Sequence, residues 1–234
     1  MPHKSRKQQF IYEIEKKILS GEWKVGDKLP TERELVEEFG ASRTVVNASL
    51  AELAQKGFLT INPRQWTKVA DYTKDGKLEV LYSIVKFNGD NVDMQLMEGI
   101  LNARKVVEIE SVKLACKFRT DDDIAQLEKI INAEKNATDI AERIELDFKF
   151  HHMLCVASKN PVYPLIMNSF EPIGKKYLKI FYSLIDNSYK IDVEHIDIVN
   201  AIKICDDKKA IESLQALLHE GEKVIRLYGG IKNE

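Results

Sequence analysis

The stretch "FGASRTVVNASLAEL", residues 39–53, has a polar front carrying one arginine and a rear half with apolar residues at helical spacing. Gly40 closes the segment before it, and Ser42 is placed to cap a new helix. Val46, Leu50 and Leu53 fall on one face of that helix and are expected to turn inward. Ser42, Arg43, Thr44 and Asn47 then project from the opposite side, near the electropositive amino end.

The flanking sequence completes a small module. "QFIYEIEKKILSGEW" puts Phe10 or Ile11, Ile14, Ile18 and Leu19 on one face, with Gly21 closing the helix. "TERELVEEFG" opens with a capping box, in which Thr31 and Glu34 each satisfy the other's backbone N–H. Leu35 and Phe39 point inward from it. After Gly57, "FLTIN" and "TKVADY" alternate and are short enough for two strands, with "PRQW" between them and Trp66 in that loop. Three helices followed by a hairpin is the winged helix-turn-helix order, and its third helix can enter the major groove of double-stranded DNA. Arg43 can pair bidentately with guanine or clamp a phosphate, and Asn47 can pair with adenine N6 and N7. Ser42 and Thr44 suit phosphates. Arg33 can reach the DNA backbone from the preceding helix. Arg64 and Lys68, around the hairpin, suit the minor groove or phosphates. Helix-turn-helix shapes also serve as packing elements, and Arg43 would then be a solvated surface residue.

Beyond "DYTKDGK" the texture changes. Residues 78–228 read as helix after helix, with breaks near 88–91, 119–121, 136–138, 159–161, 186–189 and 205–207. The boundary is drawn through residues 70–78. It separates a DNA-binding domain over 1–72 from an all-helical domain over 78–234 with room for a ligand. The fold class is therefore mostly α, with one small β-hairpin. Charge follows the same division. Residues 1–70 hold 12 Lys/Arg against 9 Asp/Glu, whereas the whole chain holds 35 against 37. A basic front and an acidic remainder fit an anionic partner for the front module alone. Three dispersed cysteines without Cys-x-x-Cys spacing argue against a disulfide framework and for a reducing cytoplasm. "MPHKSRKQQF" lacks the apolar core of a secretory leader, and no apolar run approaches a membrane span. Cytoplasmic residence without membrane contact is expected.

The rear domain contains "LDFKFHHMLCVASKN", where Asp147 and His151 stand at i and i+4 on one helical face. Together they can hold a divalent cation, although a histidine on a helix more often belongs to the core or the surface. Phe148, Leu154 and Val156 read as core. Arg104 faces inward if its helix buries Ile100, Val107 and Leu114. An inward arginine needs a partner, either a ligand carboxylate or Glu108 one turn on.

"KVGDKLPTERELVEEFGASRTVVNASLAELAQKGFL" resembles the DNA-binding domain of the GntR family of bacterial transcription regulators. The matching residues are Gly26, Leu29-Pro30, Glu32-Arg33, Leu35, Gly40, Ser42-Arg43-Thr44, Val46, Leu50, Leu53 and Gly57. The resemblance implies DNA contacts at Arg33, Ser42, Arg43 and Thr44. The family usually has arginine where Asn47 stands, and a glycine in the wing where this chain reads "PRQWTKV". "ARKVVEIESVKLACKF", "DFKFHHMLCVASKN" and "EHIDIVNAIKICDDKKA" resemble the all-helical FCD effector domain of the FadR subfamily. Many members of that subfamily hold a metal through one Asp and three His, beside a carboxylate metabolite; others bind acyl-CoA or another ligand without metal. Here the resemblance implies Asp147, His151 and His195 as ligands for zinc, nickel or manganese. Leu217 stands at the fourth position. His219 lies two residues on, about 200° around an ideal helix.

These readings lead to a ligand-responsive regulator. It would be a repressor and a homodimer on a near-palindromic operator, with a small carboxylate effector that Arg104 can meet. A metal-responsive sensor is the alternative. A metal-dependent enzyme carrying a DNA-binding-like module is disfavoured, because no general base, nucleophile elbow or phosphate-cradling glycine loop is evident.

Overall fold

The computed structural model describes residues 5–89, 93–185 and 191–232. The chain divides into two compact units, Met1–Asn91 and Val92–Glu234.

The first unit opens with α1 (Arg6–Leu19), α2 (Glu32–Phe39) and α3 (Arg43–Lys56). α1 buries Phe10, Ile11, Ile14 and Ile18, while Leu19 is half-buried. At α2 the capping box forms as expected: Thr31 Oγ1 accepts from Glu34 N–H at 3.3 Å, and Thr31 N–H donates to Glu34 Oε2 at 2.7 Å. Gly40 ends α2 at φ +57° and Gly57 ends α3 at φ +98°, in the left-handed region where a side chain is strained. At Gly57 a Cβ would also fall 2.8 Å from the Asp75 carbonyl oxygen. Val46, Leu50 and Leu53 close the core with Ile14, Leu35 and Phe58.

β1 (Leu59–Asn62) pairs antiparallel with β2 (Trp66–Val69), Leu59 opposite Val69 and Asn62 opposite Trp66. Trp66 is therefore the first residue of a strand, not part of the loop, because the turn needs only residues 63–65. Arg64 takes φ +63° within that turn. Leu29 N–H donates to the Thr67 carbonyl at 2.9 Å, and Lys28 bridges Lys68, so the segment before α2 flanks the wing as a third edge.

α4 (Tyr72–Asp75) and α5 (Leu78–Phe87) follow. The sequence assigns residue 78 onward to the helical domain. The structure instead places α5 in the first unit, because Val80 completes the first core and a buried carboxylate recruits the helix. Glu15 Oε1 accepts from Ser83 Oγ at 3.0 Å and from Lys56 Nζ at 3.1 Å, tying α1, α3 and α5 together.

The second unit consists of α6 (Met94–Phe118), α7 (Asp121–Asn136), α8 (Ile140–Ala157), α9 (Val162–Leu184), α10 (Ile191–Lys203) and α11 (Asp207–Lys232). The breaks expected at 119–121, 136–138, 159–161 and 205–207 separate these helices; the one at 186–189 lies outside the described residues. Helix α8 packs on α6, α7 and α9, and α11 packs on α6, α9 and α10. One core gathers Val112, Leu127, Ile131, Phe150, Leu154, Ile198, Ile202, Leu214 and Leu217; a second gathers Met97, Ile144, Tyr177, Phe181 and Ile225. The inward stripe of α6 differs from the expected one. Met97, Leu101, Arg104, Glu108 and Val112 are buried with Ile100, whereas Val107 and Leu114 are only half-buried. Phe148 and Val156 are also half-buried, and Leu154 is fully core. Among the described residues, no helix is long and apolar enough to cross a membrane.

Candidate functional site

Two sets of residues stand apart from the packing. The first is the front of α3. Ser42, Arg43, Thr44 and Asn47 are all exposed, while Val46 and Leu53 on the reverse face are fully buried. Ser42 Oγ accepts from Val45 N–H at 3.3 Å, so it caps the helix and keeps its hydroxyl proton for another acceptor. Free N–H groups of a first turn attract anions. Arg33 is 84% exposed and reaches back to Glu37, with Nε to Oε1 at 3.1 Å. Arg64 is exposed at the wing tip. Lys68 is held over the Trp66 ring, with Nζ 4.6 Å from its centroid.

Glu32, which sequence reasoning did not single out as a contact, lies among these cations. Its carboxylate is 3.9 Å from Arg43 Nε. Asn47, with its amide nitrogen turned to Glu32, donates to Oε2 at 2.9 Å and to Oε1 at 3.3 Å.

The second set is buried in the helical unit. Asp147, His151 and His195 are at most 2% exposed. His151 Nδ1 lies 2.5 Å from Glu108 Oε2, and Glu108 Oε1 accepts from Arg104 Nε. Burial alone would raise the Glu108 carboxyl. The Arg104 guanidinium and His151 beside it outweigh that and hold it at about 2. An ionised carboxylate only accepts, so His151 Nδ1 carries the hydrogen. Burial, reinforced by Arg104, lowers the His151 imidazole against the opposing pull of Glu108, and the neutral ring presents a bare Nε2. That nitrogen is 3.6 Å from Asp147 Oδ1. Asp147 Oδ2 accepts from the Tyr182 hydroxyl at 2.9 Å. His195 is arranged in parallel. Its Nδ1 faces both oxygens of Glu134, at 2.9 and 3.1 Å, and its ring stacks on Phe150 with centroids 3.7 Å apart. The His151 and His195 rings stand edge to face at 5.5 Å.

Asp147 Oδ1 and His195 Nε2 are left buried with no hydrogen-bond partner among the described residues. Buried acceptors without a donor are costly. With His151 Nε2 they form a set of lone pairs that suits a divalent cation, each imidazole oriented by a carboxylate on its other nitrogen. The set fits a metal in chemistry, though among the described residues no three such side chains are gathered as tightly as a closed centre requires.

His219 does not join them. It is exposed on α11, because its neighbour Leu217 takes the inward position in the core. His152 is half-buried on another face of α8. Arg104 does face inward and meets Glu108, one of its two expected partners. Glu134 and Tyr182 were missed. Glu134 had a signal, since it continues the apolar stripe of Leu127, Ile130 and Ile131; Tyr182 is 35 residues from Asp147 and had none.

Comparison with known proteins gives both units a family. Residues 7–69 match the model of bacterial regulatory proteins of the gntR family, and residues 99–220 match the FCD domain.

The chain belongs to the GntR family.

Fatty acid metabolism regulator proteins are among its relatives. That of Shewanella baltica (strain OS155) is 30% identical over 173 residues, covering 74% of this chain and 71% of the relative. That of Klebsiella pneumoniae is 33% identical over 156 residues, covering 65% and 64%. Similar solved folds include the Listeria monocytogenes regulator Lar, with TM-score 0.64, 16% identity, and coverage of 97% of this chain and 100% of that one. A GntR family member from Pseudomonas syringae pv. tomato gives TM-score 0.55 at 18% identity, covering 97% and 87%. This GntR protein, of the FadR-like branch, is thus a transcription regulator with an FCD domain, and it is not an enzyme. GntR regulators bind DNA and FCD domains bind small-molecule effectors.

Proposed function

We propose that this regulator is a repressor, acting as a homodimer, whose affinity for a double-stranded DNA operator is changed by a small carboxylate bound in the helical domain. The observation that supports the reading best is the set of buried acceptor atoms at Asp147 and His195, unpartnered among the described residues, beside the buried Arg104. A folded interior tolerates such a set when a ligand completes it. Arg104 commits Nε to Glu108, and its terminal nitrogens are the donors for an incoming carboxylate. Asp147, His151 and His195 would hold zinc, nickel or manganese. The bound ion would supply a Lewis-acidic anchor for an effector oxygen.

On DNA, Arg43 and Asn47 are proposed to address base edges, and Arg33, Ser42, Thr44, Arg64 and Lys68 to address phosphates or the minor groove. Two subunits would set two copies of α3 on half-sites one helical turn apart. An effector changes operator affinity only if it binds one subunit arrangement more tightly than the other.

A gel-shift titration on the DNA upstream of its own gene tests this, run with and without chelator, each metal and a panel of carboxylates. The repressor reading expects sequence-selective binding that weakens when a carboxylate is added to metal-loaded protein. A response to the ion alone, with none to any carboxylate, would establish the metal sensor instead. Binding without sequence selectivity would refute both.

A further inference from the structure

We infer that Glu32 sets the base preference of α3 by fixing which way the Asn47 carboxamide faces. This rests on the family's DNA-binding role and on α3 being the helix that enters the groove.

A carboxamide has a donor end and an acceptor end, and an exposed asparagine can reverse them by rotating about its last bond. Next to Glu32 the two orientations are unequal. With nitrogen toward the carboxylate, Asn47 donates at 2.9 and 3.3 Å. With oxygen toward it, two acceptors confront each other. The amide is therefore pinned, with its second N–H and Oδ1 turned away from Glu32. That remaining pair, one donor beside one acceptor, matches adenine N7 and N6 in the major groove. A reversed amide presents the pair in the wrong order.

The same Glu32 oxygen, Oε2, lies 3.9 Å from Arg43 Nε. A carboxylate placed between two groups that face DNA repels phosphate from every sequence alike. Glu32 therefore lowers general affinity while sharpening the preference at one base pair, which is discrimination by a repulsive element as well as by contact. Glu32 also opens α2, where an acidic residue favours the helix dipole. That structural role predicts a change in stability and none in base preference, so the two roles separate experimentally.

The test uses the full-length protein. An operator is first selected by wild type from a randomised duplex library. Affinities are then measured for that duplex and all its single-base-pair variants, using wild type, Glu32→Ala, Glu32→Met and Asn47→Ala. Glu32→Met keeps side-chain length without an acceptor and serves if the alanine variant folds poorly. The expected result is that Glu32 and Asn47 variants lose preference at the same A·T pair, by about tenfold. Glu32 variants should also bind unrelated duplex more tightly. Replacing that adenine by 7-deazaadenine should weaken wild type and leave Asn47→Ala unchanged. Glu32 variants that keep the wild-type preference at every position, in an otherwise selective protein, overturn the inference. A wild type that selects no sequence overturns the reading of α3 itself.

Discussion

Glu134 presents both carboxylate oxygens to Nδ1 of His195, at 2.9 and 3.1 Å, across 61 residues of sequence. The donor at Nδ1 turns Nε2 into the ring's outward lone pair, and that atom is one of the buried acceptors without a partner among the described residues. Glu108 orients His151 through one oxygen only, Oε2, since Oε1 is held by Arg104. The prediction is that Glu134→Gln lowers the affinity for zinc, nickel or manganese about 10–100-fold, the usual effect of losing such a carboxylate. Isothermal titration with each metal measures it. Unchanged affinity in the variant would mean that Glu134 serves packing alone.

Arg43 is exposed, and among the described residues its ion-pair partner is Glu32 at 3.9 Å, so little of the fold depends on it. Arg43→Ala should weaken operator binding at least about tenfold, the scale of one bidentate base contact. The thermal midpoint should stay put. If Arg43 holds a phosphate instead, the loss will be uniform across sequences and the salt slope will fall by about one. Fluorescence anisotropy at three salt concentrations distinguishes the two.

Gly221 lies on α11 where a Cβ would stand 2.2 Å from Tyr177 Oη. Tyr177 is itself buried, with Arg104 6.0 Å from its ring centroid, so its hydroxyl has little room to withdraw. Gly221→Ala should destabilise the protein by about 1–3 kcal/mol through overpacking, despite the better helix propensity of alanine. The double variant Gly221→Ala with Tyr177→Phe should recover part of that loss in urea titrations.

Asp123 closes the capping box of α7, accepting from Thr120 N–H at 2.6 Å and from Lys159 Nζ at 2.7 Å. Burial would raise its carboxyl, but Lys159 and the Thr120 amide and hydroxyl more than offset that and leave it below the usual value. A carboxyl lowered in the folded state contributes stability above its unfolded pKa of about 4, and the contribution is lost as pH falls below it. Wild type should therefore exceed Asp123→Asn in urea midpoint at neutral pH, and the gap should narrow progressively as the pH falls below about 4 and through the lowered folded-state pKa. A gap that persists at low pH would point to packing rather than charge.

Much of the first unit was legible because its signals are local. The Thr31–Glu34 box, the stops at Gly40 and Gly57, and the 46, 50, 53 stripe each depend on residues within one or two turns. Trp66 and α5 are placed by contacts that no local signal carries. Trp66 joins a strand through pairing with Asn62, and α5 joins the first unit through Glu15 in α1. The helical domain follows the same division. Asp147 and His151 share a face at i and i+4, so the sequence already sets them together. Whether His219 or Leu217 turned inward depended on the phase of α11, which only its packing in the core reveals.

By itself, then, the sequence determined the order of the elements, the polar front of α3 and the residue types available to hold a cation or a carboxylate. These follow from backbone caps and from 3.6-residue periodicity, which act over short spans. Tertiary structure alone decided that Glu134 orients His195, that Tyr182 occupies one oxygen of Asp147, and that Glu32 meets Asn47. Each pairing joins different helices, and buried or charged groups choose partners by distance in space, which no local pattern encodes.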